Sequence, residues 1–352
     1  MPPFRIGVMQ LTMEPLGEML ETARLLDRAG FDTIWLAEAY PWWRKHSMEA
    51  RSSTAVSALV ALETERLAVG WGIISPFTRH PVQIAMEARV TQELAGEGRF
   101  YLGLGASKIF MRHMGAGDDA KPGTAVREAA EIVKAVLAGG AVEFDGAVFS
   151  AHVPPLRDDA EAPRWPVPLY VAATGPRLQR IAGEVADGLL TASITTPAFL
   201  EYARANMEAG ARAANRDPGE LDLGATIVAS IGEDRASGRD GAREIAGMYL
   251  ANKVQNIQAS ADVLLERANL SQDEIRPVAE AMERGGRLAA KAAVTDEILA
   301  KCKPIAGTPT DCIEAIEEYK EAGCTHIMLE LWGADRHRQI ELFGKKVLPH
   351  FR

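Results

Sequence analysis

The start of one predicted helix combines features that suit an anion. The apolar segment 167–174 is predicted to be a strand and 176–186 a helix. In the junction, Thr174 can cap the helix, Gly175 lets a ligand approach the backbone, and Pro176 suits the first turn. Free N–H groups and the positive end of the helix dipole attract an anion there, and Arg177 adds a forked donor. The sequence therefore indicates either a phosphate site or an ordinary helix start, at Ala173, Thr174, Gly175, Pro176 and Arg177.

Glu38 is the candidate acid or base. It stands at the end of a predicted strand and is followed by the aromatic residues Tyr40, Trp42 and Trp43. A carboxyl group against aromatic surface has a raised pKa, which suits proton transfer. The alternative is a structural Glu38 that caps a helix or forms an ion pair.

A second glycine-rich strand end lies at 103–108, with the sequence GLGASK. It lacks the third glycine and the later acidic residue of the dinucleotide fingerprint. Gly105, Ala106 and Ser107 leave room for a flat ligand, although close packing of a helix on the strand would also require small residues.

The elements that must position these residues alternate along the chain. Eight continuous apolar runs are separated by helical patterns, which predicts a parallel sheet buried on both faces. Eight such units favour a closed (β/α)8 TIM barrel, an α/β fold whose sites lie at the carboxyl ends of the strands. The predicted strands are 5–10, 31–38, 66–74, 99–106, 167–174, 188–193, 221–230 and 325–331.

Two segments interrupt this alternation. Residues 142–150 alternate around Asp145-Gly146, which predicts a hairpin. Residues 234–302 are rich in Ala, Glu, Arg and Lys and predict a helical insertion before the last strand, a lid or an interface. We expect one TIM-barrel domain over residues 1–352; two separate domains are the weaker alternative.

Composition excludes several classes of function. The formal net charge of −9 argues against a nucleic-acid partner. No apolar run approaches the roughly 20 residues that span a bilayer, and the N-terminus has no signal-peptide pattern. Cys302, Cys312 and Cys324 have no C-x-x-C spacing, so free thiols in a reducing cytoplasm are expected, without a metal site.

Four segments together resemble the bacterial luciferase-like superfamily. The most specific is GWGIISPFTRHPVQIAMEARVTQELAGEGRFYLGLGAS, residues 70–107. Segments 29–40, 170–190 and 305–331 match in the same order, whereas 234–302 has no clear match. The chain looks closest to the branch that uses the deazaflavin coenzyme F420, which includes methylenetetrahydromethanopterin reductase.

The resemblance implies how a cofactor binds. Family members carry a non-prolyl cis peptide after the third strand, in a bulge that supports the central ring of the cofactor. The matching bond here is Gly72–Ile73, and the bulge continues to Ser75. The resemblance also implies that the helix start at 173–177 holds the phosphate of the cofactor tail, with additional donors from Ser193 and Thr195.

The chain also departs from the branch. The Asp-His pair common after the second strand is Glu38-Ala39 here, and sugar-phosphate dehydrogenases have Glu where this chain has Ala106. Sugar-phosphate oxidation is therefore disfavoured. Glu38 is the first candidate for the proton donor, followed by His80 and Glu330, although Arg79 and His80 can instead tie down the loop.

The resemblance implies a coenzyme F420-dependent oxidoreductase. It would transfer hydride between the cofactor and a small organic substrate and would be a homodimer. The alternative is a luciferase-like monooxygenase that takes reduced FMN from a partner reductase and reacts with oxygen. A cofactor-binding protein without turnover is a third, weaker hypothesis.

Overall fold

Eight parallel strands close into a barrel, which confirms the predicted fold. The computed structural model describes residues 2–38, 49–106, 111, 114–115, 120–156, 165–192, 194–255, 259–332 and 335–352. Around the barrel the order is β1, β2, β3, β4, β7, β8, β9 and β11, and β11 pairs with β1. These strands are β1 (Arg5–Leu11), β2 (Thr33–Ala37), β3 (Ala68–Trp71), β4 (Phe100–Leu104), β7 (Leu169–Ala172), β8 (Gly188–Thr191), β9 (Asp222–Ile231) and β11 (His326–Glu330).

The connecting helices begin at residues that suit a first turn. Five of them have proline at N1 or N2, and the side chains of Ser52, Thr196 and Thr308 cap three. The helical spacing of the sequence predicts helices over 15–29, 52–64, 80–95, 122–138, 176–186, 197–214, 309–322 and 335–348, and the observed bounds lie within two residues of these. These helices are α1 (Leu16–Ala29), α2 (Ser53–Glu63), α3 (Pro81–Ala95), α4 (Pro122–Ala138), α5 (Pro176–Val185), α6 (Pro197–Ala213), α11 (Pro309–Glu321) and α12 (Arg336–Lys346).

Residues 142–153 form the predicted hairpin on the outside of the barrel. Strands β5 (Val142–Asp145) and β6 (Ser150–Val153) pair antiparallel, and Gly146 N–H donates to the Phe149 carbonyl at 2.8 Å. The carboxylate of Glu128 on α4 accepts three backbone N–H groups of the turn. A charge-assisted contact therefore fixes the hairpin on the helix.

Four helices within residues 235–255 and 259–301 lie between β9 and a short extra strand. The extra strand β10 (Ile305–Gly307), which the sequence analysis did not predict, extends the sheet beside β9. The backbones of two of these helices approach closely, because a Cβ on Gly247 would lie 3.1 Å from the backbone of Ala290. The helices are α7 (Arg235–Gln255), α8 (Ala259–Arg267), α9 (Gln272–Ala293) and α10 (Asp296–Lys301). That residues 1–352 form one domain stays a prediction.

The cysteines of the chain lie in its interior. Cys302, Cys312 and Cys324 are free thiols, and burial raises the pKa of each to about 12. In the part of the chain that the structure describes, no three His, Cys, Asp or Glu side chains are grouped so that they can hold a metal ion. No helix among the same residues is both long and apolar enough to traverse a bilayer.

A polar network fills the lower end of the barrel. Asp222 on β9 accepts hydrogen bonds from Arg5, Tyr170 and Thr325. The imidazole of His326 lies 2.8 Å from the hydroxyl of Thr33, and burial lowers its pKa well below the usual value. The buried groups are therefore paired, and this end of the barrel is closed.

Trp35 fills the middle of the barrel above this network. Its indole stacks on Tyr101 and meets Tyr170 edge-on, and it is fully buried. Gly70 on the neighbouring strand is opposite Trp35 in the sheet register. A Cβ at Gly70 would lie 2.4 Å from the indole, so only glycine leaves room for the ring.

We expect Gly70→Ala to destabilise the barrel by about 1–3 kcal/mol, because the added methyl group overpacks the space that Trp35 occupies. Thermal unfolding followed by circular dichroism measures the effect. Gly17→Ala on α1 is the control, because an added Cβ there meets nothing within 4 Å. Equal melting temperatures for the two variants would contradict this account of the interior.

Candidate active site

A cavity of about 1350 Å³ opens at the carboxyl ends of the barrel strands. Side chains alternate along a strand, so every second residue faces the interior. Above Trp35 the inward positions carry mostly small residues, so the mouth of the barrel stays empty. These small residues are Ala37, Gly72, Gly105, Ala172 and Ala192.

The peptide bond between Gly72 and Ile73 is cis, as the resemblance implies. Gly72 N–H donates to the Leu36 carbonyl at 2.9 Å, and the ladder resumes where Ile74 N–H donates to Gly103 at 2.8 Å. Ile73 thus bulges between two paired positions, which is why β3 ends earlier than predicted. A Cβ on Gly105 would lie 3.1 Å from the Ile73 side chain, so the two residues adjoin in the cavity wall with Ala106.

The start of α5 lies in the same cavity. Gly175, not Thr174, occupies the N-cap, and no side chain caps the helix. The carbonyl of Thr174 instead accepts a hydrogen bond from Gln179 at 3.0 Å. Because the N-cap is a glycine, no side chain in the described part of the chain caps the first N–H groups of α5. The cavity lining includes Ala173, Thr174, Gly175, Pro176, Arg177, Lys121 and Thr124.

Of the three serines predicted to bind the cofactor, only Ser75 is among the described residues, and it does not line the cavity. Ser75 is buried, and its hydroxyl accepts the N–H of Phe77 at 3.3 Å. Ser107 and Ser193 lie outside the described residues. The hydroxyl of Thr195 is buried and donates to Thr191, which does line the cavity.

Glu38 forms a two-pronged ion pair with Arg79. The guanidinium donates to the two carboxylate oxygens at 2.8 and 3.2 Å, and it also reaches Ser52 and Glu87. Both side chains are mostly buried, and neither lines the cavity. These contacts favour the structural alternative for Glu38, and its catalytic role stays a prediction. Tyr40, Trp42 and Trp43 lie outside the described residues.

His80 is the N-cap of α3. Its side chain accepts the N–H of Val82 at 3.3 Å, and its exposed ring meets Phe149 edge-on. It does not line the cavity. The geometry therefore suits a residue that fixes the loop, and proton transfer by His80 likewise stays a prediction.

The opposite wall of the cavity carries three polar side chains, only one of which was predicted from the sequence. Tyr249 and Lys253 lie one turn apart on α7 and line the cavity with Glu330 at the end of β11. The Tyr249 hydroxyl donates to the Glu330 carboxylate. Burial lowers the pKa of Lys253. Only Glu330 was a candidate; the i, i+4 spacing of Tyr249 and Lys253 was the available signal.

Comparisons show which known proteins the whole chain is similar to. The family model for luciferase-like monooxygenases matches residues 1–326. The chain is 30% identical over 335 residues to 5,10-methylenetetrahydromethanopterin reductase of Archaeoglobus fulgidus, covering 94% of each chain. It is 27% identical over 340 residues to F420-dependent glucose-6-phosphate dehydrogenase of Beutenbergia cavernae, covering 95% of this chain and 93% of the relative.

A solved structure extends the likeness to three dimensions. The coenzyme F420-dependent tetrahydromethanopterin reductase of Methanopyrus kandleri superposes with a TM-score of 0.85 at 26% identity. The match covers 99% of this chain and 100% of that structure.

A double-mutant cycle tests the structural role of Glu38. We expect Glu38→Gln and Arg79→Met each to cost about 1–3 kcal/mol, because each leaves a mostly buried charged partner without its hydrogen bonds. Together they should cost less than the sum, since the lost interaction is shared.

Urea denaturation of the two single variants and the double variant measures the coupling. The exposed pair Arg24–Glu63, treated with the same substitutions, is the control and should show about 1 kcal/mol or less. Strict additivity at Glu38 and Arg79 would refute a structural pair and return Glu38 to the catalytic candidates.

Proposed function

Because its sequence matches the luciferase-like monooxygenase model over most of its length, the chain belongs to that family, and we propose that it is a coenzyme F420-dependent oxidoreductase. It transfers a hydride between the coenzyme and a small organic substrate. The observation that carries the assignment is the end-to-end likeness, in sequence and structure, to a reductase whose name specifies that coenzyme. The resemblance inferred from sequence motifs is thereby confirmed.

The residues present fit a flat ring with a phosphate-bearing tail. Gly72, Ile73, Gly105 and Ala106 form a wall without bulky polar side chains, against which a ring system can lie. The uncapped start of α5, with Arg177, supplies N–H donors and a cation for a phosphate. When bound, the coenzyme supplies the hydride chemistry, and the protein supplies orientation and an apolar pocket.

One class of substrate used in the family, the sugar phosphates, is disfavoured for this chain. By the resemblance, Ala106 stands where sugar-phosphate dehydrogenases have Glu, and it lines the cavity. No carboxylate can act from that position, so we propose a substrate other than a sugar phosphate. The remaining space lies between Ile73 and the wall formed by β11 and α7.

We also propose a homodimer in the cytoplasm. On the outer faces of α2 and α3, five apolar side chains are exposed, at the helical spacing that forms a stripe. They are Leu59, Leu62, Met86, Val90 and Leu94, with Leu62 64% and Val90 54% exposed. A second copy of the chain would cover this stripe.

The three buried thiols support the proposed cytoplasmic location, because free thiols persist in a reducing compartment.

Cofactor titration tests the proposed function. We expect micromolar or tighter binding of oxidised coenzyme F420 and weaker binding of FMN, followed by tryptophan fluorescence. Trp35 and Trp71 lie in the barrel that carries the site. Arg177→Gln should weaken the binding of coenzyme F420 about tenfold, because a charge-assisted bond to phosphate is lost.

Arg212→Gln is the matched control, because Arg212 is exposed on α6 and pairs only with Glu208 in the described part of the chain. It should bind coenzyme F420 like the wild type. Tighter binding of FMN than of coenzyme F420 would overturn the proposal and point to the monooxygenase alternative.

Light scattering tests the dimer. We expect twice the 38.0 kDa mass of the chain, and Val90→Glu should shift the protein toward monomer because a charge would be buried in the interface. Leu288→Glu is the control, since Leu288 is 74% exposed on α9, away from the stripe. A monomeric wild type would end the proposal.

A further inference from the structure

Glu330 is the one carboxylate among the described residues that line the cavity. It follows His326 and Met328 on the inward face of β11, so it occupies the uppermost interior position of that strand. Only 2% of Glu330 is exposed. Burying a carboxylate at the mouth of an apolar cavity costs free energy unless it has a hydrogen-bond partner. The group that contacts Glu330 therefore indicates its role.

Tyr249 is that partner. It comes from α7, in the helical insertion, and its hydroxyl donates to a carboxylate oxygen of Glu330. Both residues line the cavity, so the phenol can face a ligand while it contacts the carboxylate. A hydroxyl group between a carboxylate and a ligand can pass a proton either way.

The pair lies across the cavity from the proposed cofactor wall. Going around the barrel, β11 is three strands from β3, which precedes the Ile73 bulge, and three strands from β7, which precedes α5. A substrate that fills the space between the two walls has the coenzyme ring on one side and Tyr249 on the other. Lys253, one helical turn from Tyr249, adds a donor to the same wall.

We propose that Tyr249 is a catalytic residue that carries the proton to and from a carbonyl or alcohol substrate, and that Glu330 positions it and stores the proton. The proposal deepens the proposed function and rests on it. Tyr249 thereby takes the role of proton donor, for which Glu38 and His80 were candidates. Those two side chains form their hydrogen bonds outside the cavity.

The proton and electron balance defines the step. Reduction of a ketone needs a hydride at carbon, which the reduced coenzyme supplies as it is oxidised, and a proton at oxygen. In this direction the step starts from the carboxylic acid form of Glu330. Tyr249 gives its hydroxyl proton to the substrate oxygen, the Glu330 acid gives its proton to Tyr249, and Glu330 ends as the carboxylate. In the oxidising direction the alcohol proton passes to Tyr249, whose own proton moves to the Glu330 carboxylate.

Infrared difference spectroscopy of a bound ketone tests this assignment without turnover. The probe is cyclohexanone with a ¹³C-labelled carbonyl group, added to the complex of the protein with oxidised coenzyme F420, which cannot reduce it. When the single Tyr249 proton turns from Glu330 to the carbonyl oxygen, with Glu330 in its acid form donating to the phenol oxygen, the hydrogen bond should move the carbonyl band to lower wavenumber than in an apolar solvent. Binding of the coenzyme is measured first on each sample, so a failure of the proposed function is recognised separately.

Three variants locate the donor. In Tyr249→Phe the band shift should be lost and cyclohexanone should bind about tenfold more weakly. In Glu330→Gln the shift should remain, because the phenol is still present. Tyr202→Phe is the control, since Tyr202 packs against Arg267 outside the cavity, and it should behave like the wild type.

The opposite pattern, with the shift kept in Tyr249→Phe and lost in Glu330→Gln, would make Glu330 the direct donor and overturn the assignment. An unshifted band, or no ketone binding by a wild-type protein that has bound the coenzyme, would overturn it as well. If Tyr249→Phe does not fold, the wild-type and Glu330→Gln spectra still decide between these outcomes.

Discussion

The site depends on how the barrel interior is filled. Inward side chains form successive layers, and the indole of Trp35 occupies the middle layer only because Gly70 leaves room beside it. Below it, paired polar groups around Asp222 close the barrel. Above it, glycine and alanine leave the barrel open. One end is therefore filled by side chains, and the other end holds a cavity.

Much of this architecture could be predicted from the sequence because it is local. Helix α4 was predicted over 122–138, and the structure gives the same residues. Continuous apolar runs predicted the parallel strands, and Asp145-Gly146 predicted the hairpin. The strand β10 was missed because three residues carry too short a pattern to be recognised, and the early end of β3 depends on a bulge that periodicity does not encode.

The site was predictable in part for the same reason. The start of α5 and the Gly72–Ile73 bond belong to short segments, so their motifs could be recognised. The Glu38–Arg79 pair joins residues 41 positions apart, and Tyr249 and Glu330 are 81 apart. Such contacts are set by the folded barrel, and no local spacing signals them. An acidic residue at a strand end therefore looked catalytic, and its guanidinium partner became visible only in the folded chain.

The two walls of the cavity arise from different parts of the chain. This separates the wall proposed to bind the coenzyme from the wall proposed to act on the substrate. Strand ends of the barrel form the wall proposed for the coenzyme, where small residues and an uncapped helix suffice. Glycine and alanine carry no acid or base group, so these strand ends supply none to the cavity. The polar groups facing that wall come from β11 and from α7, in the helical insertion before the last strand. Changes in α7 can then alter the substrate chemistry while the coenzyme wall stays intact, because the barrel strands that build that wall do not depend on α7 for their pairing.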